Sequence, residues 1–467
     1  MTDCTPEQGT EQASKDPLRR HAQRTDPGRR TMLKGGVAAA DGPVEIHNPR
    51  DALRVLGPGL VTGASDADPS GIGNYSQAGS QAGYGLLWTT LFTYPLMAAV
   101  QEMCGRIALG TGVGLGRVLR LKVPAWVVGL LIGSLLIANV FNVGADLGAV
   151  SAGVELLSRG HIRRVWAVAP VGLGILAAVT FLSYERIAQI LKWLTVVLFA
   201  YVITAVLSHP NVLEVLKATV IPHVELSSAF IGNLVAIFGT TITPYLFFWQ
   251  ASSEVDAQRE RGDIHKHDRV GVSVKRLRMA RLDILAGTLF AQVVMFAILL
   301  TSGTVLHAHG GGDIQSADQA ASALAPLAGR AAFVLFAVGI IGTGLLAIPV
   351  MAGSAVYAVR EFFGFGGTLG LKPRYRPTFY VILAFAMAAA VALNYLGLNP
   401  IHALILAAGI NGVVAPALLA AITAVAADRR IMKQRVSGPL SLTLCVLATV
   451  VMAAAAVGFI VTAVIGA

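Results

Sequence analysis

The chain has 467 residues, of which 55% are hydrophobic and only 13% charged, with a formal net charge of +10. A soluble domain carries about a quarter charged residues, so this composition excludes an ordinary soluble enzyme and points to a chain that lives in lipid. The basic balance does not call for nucleic acid, because most of the 36 Lys and Arg residues lie between apolar runs, as in the loops of a membrane protein.

Residues 1–50 are polar, contain Pro and Arg, and lack hydrophobic periodicity. They are expected to form a disordered cytoplasmic tail, and no apolar core of a cleavable signal peptide is visible in them. Residues 51–467 read as one all-α polytopic membrane domain. Eleven spans are expected near 54–77, 82–108, 124–155, 164–183, 187–208, 228–252, 282–306, 331–358, 378–396, 401–426 and 440–464. An odd number of spans places the two ends on opposite sides. Basic residues concentrate in the segments that share a side with the N-terminus, so the positive-inside rule predicts a cytoplasmic N-terminus and an outside C-terminus in the plasma (inner) membrane. Arg159, Arg163 and Arg164 are the discord, in a loop assigned outside. Cys4, Cys104 and Cys445 are scattered and odd in number, so no disulfide framework or Cys-x-x-Cys site is implied.

Two stretches interrupt their spans. The first is Ala64-Ser65-Asp66-Ala67-Asp68-Pro69-Ser70-Gly71-Ile72-Gly73-Asn74, where Pro69, Gly71 and Gly73 are expected to break the helix. The second is Phe238-Gly239-Thr240-Thr241-Ile242-Thr243-Pro244-Tyr245, with Gly239 and Pro244 as breakers. Five spans precede the second break and five begin with it. An odd number of spans per repeat inverts the second repeat, which is the five-plus-five plan of transporters that bind substrate at paired broken helices. Taken alone, either proline is as readily a tolerated kink; the pair, with a carboxylate in one break, favours a site.

Unwound backbone presents carbonyls, and a carboxylate at membrane depth is costly enough to be kept for function. Asp68 supplies the charge, and Ser70, Asn74, Thr240, Thr241, Thr243 and Tyr245 add neutral oxygens. Neither break holds Met, Cys or His. Oxygen-only lining suits hard cations such as Mg²⁺, whereas softer transition metals gain from sulfur and imidazole. Asp66 would face away from Asp68 in a helix and is expected beside the entrance or behind the ligands. Asp146 is an intramembrane acid with a pathway role or a structural one in balance. Glu102 and Arg106, four residues apart, read as a helix ion pair. Gln292, Asn411 and Gln250 are amides in apolar runs, each either interhelical glue or a neutral ligand to a hydrated ion. His265-Lys266-His267 and His307-Ala308-His309 lack a ligand spacing and read as solvated loops. No P-loop and no hydrolase signature is present, so the chain is not expected to be an enzyme or to need a cofactor.

At Asp68-Pro69-Ser70-Gly71 and Thr240-Thr241-Ile242-Thr243-Pro244-Tyr245-Leu246-Phe247-Phe248-Trp249-Gln250 the chain resembles the NRAMP superfamily, over nearly all of residues 54–464. The resemblance implies a leucine-transporter-like fold and carriage of divalent metals into the cytoplasm. The usual motifs are Asp-Pro-Gly-Asn in span 1 and Met-Pro-His in span 6. Here Ser70-Gly71 replaces Gly-Asn, Thr243 stands at the Met and Tyr245 at the His. These departures look like the NRAMP-related magnesium transporters, whose span 6 carries a closely similar run. The resemblance implies ion contacts from Asp68, Gly71, the Thr240–Thr243 region including Thr241, and Asn411. Asp146 matches the acid of the family's Asp-Leu-Ala-Glu run in span 3, but Ala149 replaces its Glu.

The expectation is therefore a divalent-cation transporter, Mg²⁺ first with Mn²⁺ tolerated, working by alternating access without proton coupling. Its partners are the transported ion and the lipid bilayer. The alternatives are a proton-coupled Mn²⁺/Fe²⁺ importer, a non-transporting NRAMP-like membrane sensor with a soluble output domain, and an amino-acid permease on the same fold. Asp68 would repel the carboxylate that the last of these must bind.

Overall fold

The computed structural model describes residues 57–182, 184–225, 227–260, 269–310, 314, 317–365, 373–396 and 400–465. The expected tail at 1–50 and the His265–His267 segment lie outside the described residues. Those described are helical, with no strand among them.

The first span is two helices, α1 (Pro58–Ala64) and α2 (Pro69–Ala82), separated by Ser65–Asp68. Then follow α3 (Trp88–Thr111), the short α4 (Leu115–Leu119), α5 (Ala125–Leu157) and α6 (Arg164–Phe181). The fifth span is α7 (Tyr184–Val197) running into α8 (Phe199–Leu207), and α9 (Val212–Val220) leads on from it. The sixth span is again two helices, α10 (Ser228–Thr241) and α11 (Pro244–Glu260). The remaining long helices are α12 (Val274–Val305), α13 (Ala317–Phe363), α14 (Pro377–Tyr395), α15 (Pro400–Ala426) and α17 (Pro439–Ile465), with the short α16 (Arg429–Met432) between the last two.

Nine helical stretches among the described residues are long and apolar enough to cross a bilayer. The first two expected spans are not among them, for physical reasons. The first is cut into pieces of 7 and 14 residues. The second, α3, carries Gln101, Glu102 and Arg106 within its length. Apolar side chains cover the outside of the bundle: Trp126, Trp166, Trp193 and Phe385 are exposed, as a lipid-facing surface requires.

Contacts between loops follow the expected alternation of sides. Lys122, before α5, pairs with Asp428, after α15, at 2.6 Å. Arg120 donates to the Phe362 carbonyl, Gly116 to the Glu361 carboxylate, and Arg269 to the Gly112 carbonyl. These loops all belong to the side assigned inside. At the other end, Trp88 donates to the His223 carbonyl, His307 meets the Ser80 carbonyl, and the Tyr395 hydroxyl donates to the Val165 carbonyl. These all belong to the side assigned outside.

Candidate functional site at the two helix breaks

The first break lies earlier than the glycines suggest. Gly71 and Gly73 are inside α2, and Pro69 is its first residue. The reason is a cap: Asp68 has extended backbone, φ −74° and ψ 162°, and its Oδ1 accepts the Gly71 N–H at 2.5 Å. A side-chain acceptor at this position starts a helix, and Pro is well placed in the first turn. Asp146 of α5 adds a second acceptor there, taking the Ser70 N–H at 3.1 Å and the Ser70 hydroxyl at 2.6 Å on Oδ1. The N-terminus of α2 thus carries two carboxylates, a favourable place for negative charge. Asp66 sits in the break itself and is buried.

The second break is shorter, Ile242–Thr243, and Gly239 remains in α10. The two prolines act alike. A helical carbonyl bonds the N–H four residues on, and proline has none. Pro69 therefore releases the Ser65 carbonyl and Pro244 the Thr240 carbonyl. The Ser65 carbonyl is taken by the Tyr245 hydroxyl at 2.9 Å, so the second break is tied to the first. The same hydroxyl is 3.4 Å from Asp68 Oδ2.

Further bonds lock α2 to α10. Asn74 donates to Thr240 Oγ1 at 2.7 Å, and the Tyr75 hydroxyl lies 3.4 Å from Thr241 Oγ1. Thr241 gives its proton to the Ile237 carbonyl at 2.7 Å. Gly71 permits this approach. A Cβ there would stand 2.9 Å from Thr240 Cγ2 and 3.0 Å from Asp68 Oδ1. A larger side chain at this position would have to move Thr240 or Asp68.

Five expected side chains end in buried oxygens with no hydrogen-bond partner among the described residues: Asp66 Oδ1, Asp146 Oδ2, Thr243 Oγ1, Gln250 Oε1 and Asn411 Oδ1. An unsatisfied buried oxygen is costly and is ordinarily met by a water, an ion or another polar group. Thr243 and Asn411 are both 5% exposed, Asp68 4%. Asn411 comes from α15, which packs against both α10 and α11. The carboxylates of Asp66 and Asp146 are both within electrostatic range of Asp68. Among the described residues, no three His, Cys, Asp or Glu side chains converge as a metal-binding group. Any cation held here must take much of its coordination from neutral oxygens.

The other amides divide. Gln292 of α12 accepts from Thr93 at 3.1 Å and reaches Met97 Sδ at 3.6 Å, both on α3, so it glues two spans. Gln250 donates to Glu254 within α11, and it faces Gly105 of α3 rather than the gap between the breaks. Glu102 and Arg106 form the ion pair read from their spacing. Sequence reasoning missed Ser65, whose carbonyl is the bridge, and Met295 of α12, whose sulfur lies 3.7 Å from Thr241 Oγ1. The first was inferable from its place four residues before Pro69; the second sits in an ordinary apolar run and carried no signal.

The chain as a whole is similar to several known proteins. A Deinococcus radiodurans protein named divalent metal cation transporter MntH is 26% identical over 400 residues, covering 82% of this chain and 84% of that one. The MntH of Aeromonas hydrophila is 24% identical over 363 residues, covering 76% and 82%. Among solved structures, the Eremococcus coleocola manganese transporter superposes with TM-score 0.68 at 18% identity, over 88% of this chain and 86% of its own. Mhp1, a nucleobase-cation-symport-1 family transporter, superposes with TM-score 0.54 at 13% identity, over 86% and 92%. The structural likenesses show a shared fold. The model of the family described as natural resistance-associated macrophage protein-like matches residues 59–462, Asp68 and both prolines included, and the chain belongs to that family, Nramp.

Proposed function

We propose that this protein carries divalent metal cations across the plasma membrane by alternating access, with Mg²⁺ as the main substrate and Mn²⁺ tolerated. Residues 51–467 form the transporter domain, with the N-terminus cytoplasmic and the C-terminus outside. One observation carries the reading: Asp68 is a buried carboxylate at one of two proline-broken spans that are bonded to each other, and the partnerless oxygens of Thr243, in the second break, and Asn411, on a helix packed against α10 and α11, are buried as well. The relatives named MntH support the substrate class.

The ion contacts proposed are Asp68, the Thr240 carbonyl released by Pro244, Thr241, Thr243 and Asn411. Gly71 acts through its N–H, which orients the Asp68 carboxylate. Asn74 and Tyr245 hold the two breaks in register, Ser70 ties α2 to Asp146 of α5, and Asp66 and Asp146 add negative potential behind them. Hard oxygen ligands favour Mg²⁺, which also keeps several of its waters. The Mg²⁺ preference rests on Thr243 and Tyr245, which put a hydroxyl and a phenol where a thioether and an imidazole would favour transition metals.

Transport without proton coupling follows from the same two positions and from Ala149. A phenol with an unperturbed pKa near 10 stays protonated at neutral pH, and Ala149 cannot titrate. The test uses liposomes loaded with a pH dye and a metal indicator. Mg²⁺ or Mn²⁺ should enter without acidifying the lumen. Metal-driven acidification that vanishes in Asp146→Asn would replace this reading with a proton-coupled importer.

A further inference from the structure

The helix α1 is seven residues long and has no side-chain cap of its own, because its N-cap is Gly57. Two of the other half-helices differ: Asp68 caps α2 and Ser227 caps α10 from within their own segments. The α1 cap comes instead from another span. Asp283 of α12, itself buried, accepts the Gly57 N–H at 2.8 Å on Oδ1, the Gly59 N–H at 2.7 Å on Oδ2 and the Leu60 N–H at 3.2 Å on Oδ1.

Beyond the cap, α1 lies directly on the α12 backbone. A Cβ on Gly59 would meet Ile284 N at 2.6 Å, and one on Gly63 would strike the Gly287 carbonyl. A Cβ on Gly287 would strike the Gly59 carbonyl. Such glycine seams let two helices touch without interlocking side chains. At its far end α1 is joined to α2 only through the Ser65–Asp68 break.

We propose that Asp283 is a latch: it holds α1 closed on α12 and so seals the cytoplasmic side of the site, and transport requires these three bonds to open and reform. Asp283 is a positioning residue, acting through α1 rather than on the ion. The α1 segment is a short rod with a hinge at Ser65–Asp68, a smooth bearing surface at Gly59, Gly63 and Gly287, and a charged clasp at its tip. Hydrogen bonds to a charged acceptor are the stronger kind, so the clasp weights the closed state. The inference rests on the orientation proposed above, with α1 on the cytoplasmic side.

The test is site-directed labelling of the full-length protein in vesicles. Cys4, Cys104 and Cys445 are replaced by Ala, and one reporter is added. Thr288→Cys lies beneath Gly63, buried on α12. Ser80→Cys lies at the outer end of α2 and is also buried. In Asp283→Asn, a membrane-impermeant maleimide on the cytoplasmic side should label Thr288→Cys at least about tenfold faster than in the Asp283 background, the scale of losing one strong buried hydrogen bond. Ser80→Cys should label no faster. An unchanged rate at Thr288→Cys overturns the latch, and so does equal acceleration at both reporters, which marks general loosening. If Asp283→Asn does not fold, Asp283→Glu keeps the charge but lengthens the arm; it should still accelerate Thr288→Cys alone, and failure to do so overturns the proposal. Acceleration seen only from the outer face would support the latch and overturn the orientation.

Discussion

The Tyr245 hydroxyl donates to the Ser65 carbonyl at 2.9 Å and stands 3.4 Å from Asp68 Oδ2. One O–H has one proton, and the shorter bond holds it. Asp68 Oδ2 is therefore the less engaged oxygen of a carboxylate whose Oδ1 is fixed by the Gly71 N–H. A cation approaching Oδ2 finds a preset acceptor and need not displace a strong bond. The same hydroxyl joins the two breaks, so movement of one is felt by the other.

Thr243 is the selectivity position of this account. Its hydroxyl is buried without a partner beside Pro244. A thioether there would add a soft ligand. Thr243→Met should raise Mn²⁺ or Cd²⁺ uptake relative to Mg²⁺ in liposome competition assays. An unchanged ratio would show that Thr243 does not face the ion.

The glycine seam makes a stability prediction. Gly63→Ala drives a methyl into the Gly287 backbone and to 2.7 Å from Thr288 N. Overpacking of this kind costs about 2 kcal/mol, so Tm in detergent should fall by several degrees. Gly133 of α5 is the control, because a Cβ there meets nothing within 4 Å. Gly133→Ala should leave Tm unchanged or raise it slightly, since Ala is the better helix former. Equal Tm values for both variants would contradict the packing described here.

Much of this was legible in the residues. Asp68, Pro69 and Pro244 mark the breaks because proline removes a hydrogen bond and a buried acid needs a reason. The alternation of loops followed from counting spans, and the Lys122–Asp428 and Trp88–His223 contacts agree with it. The break boundaries were not legible. Gly71 and Gly73 are weak helix formers, yet two carboxylates at the start of α2 and close packing on Thr240 hold them helical. Asp283 and Met295 were missed because their partners lie far away in the chain, and no local pattern announces a contact of that kind. Gln250 and Gln292 offered glue or ligand equally, and only packing against α3 separates the two.

The pair between Lys122 and Asp428 lies outside the membrane-spanning segments and gives a pH prediction. The hydrogen bond from Lys122, with the Arg430 N–H next, holds the Asp428 carboxyl below its ordinary value of 3.8. A carboxyl lowered by folding stabilises the folded state above its ordinary value. That contribution is lost as pH falls below 3.8 toward the folded-state value. Asp428→Asn should therefore lower Tm slightly at neutral pH, with the gap to the unmodified protein closing in acid below that point. High salt should shrink the neutral-pH gap, because the pair is exposed. A gap that persists in strong acid would show that Asp428 contributes by something other than its charge.

The central claim is that Asp68 holds the transported cation between the two breaks. The most direct measurement is Mg²⁺ uptake into liposomes containing the unmodified protein or Asp68→Asn, reconstituted at equal density after both elute as folded species in detergent. The amide keeps the shape and can still accept the Gly71 N–H, but it removes the charge that offsets desolvation of a divalent ion. Uptake should be present with Asp68 and fall to the level of empty liposomes with Asn. Uptake by Asp68→Asn near the unmodified rate would contradict the account.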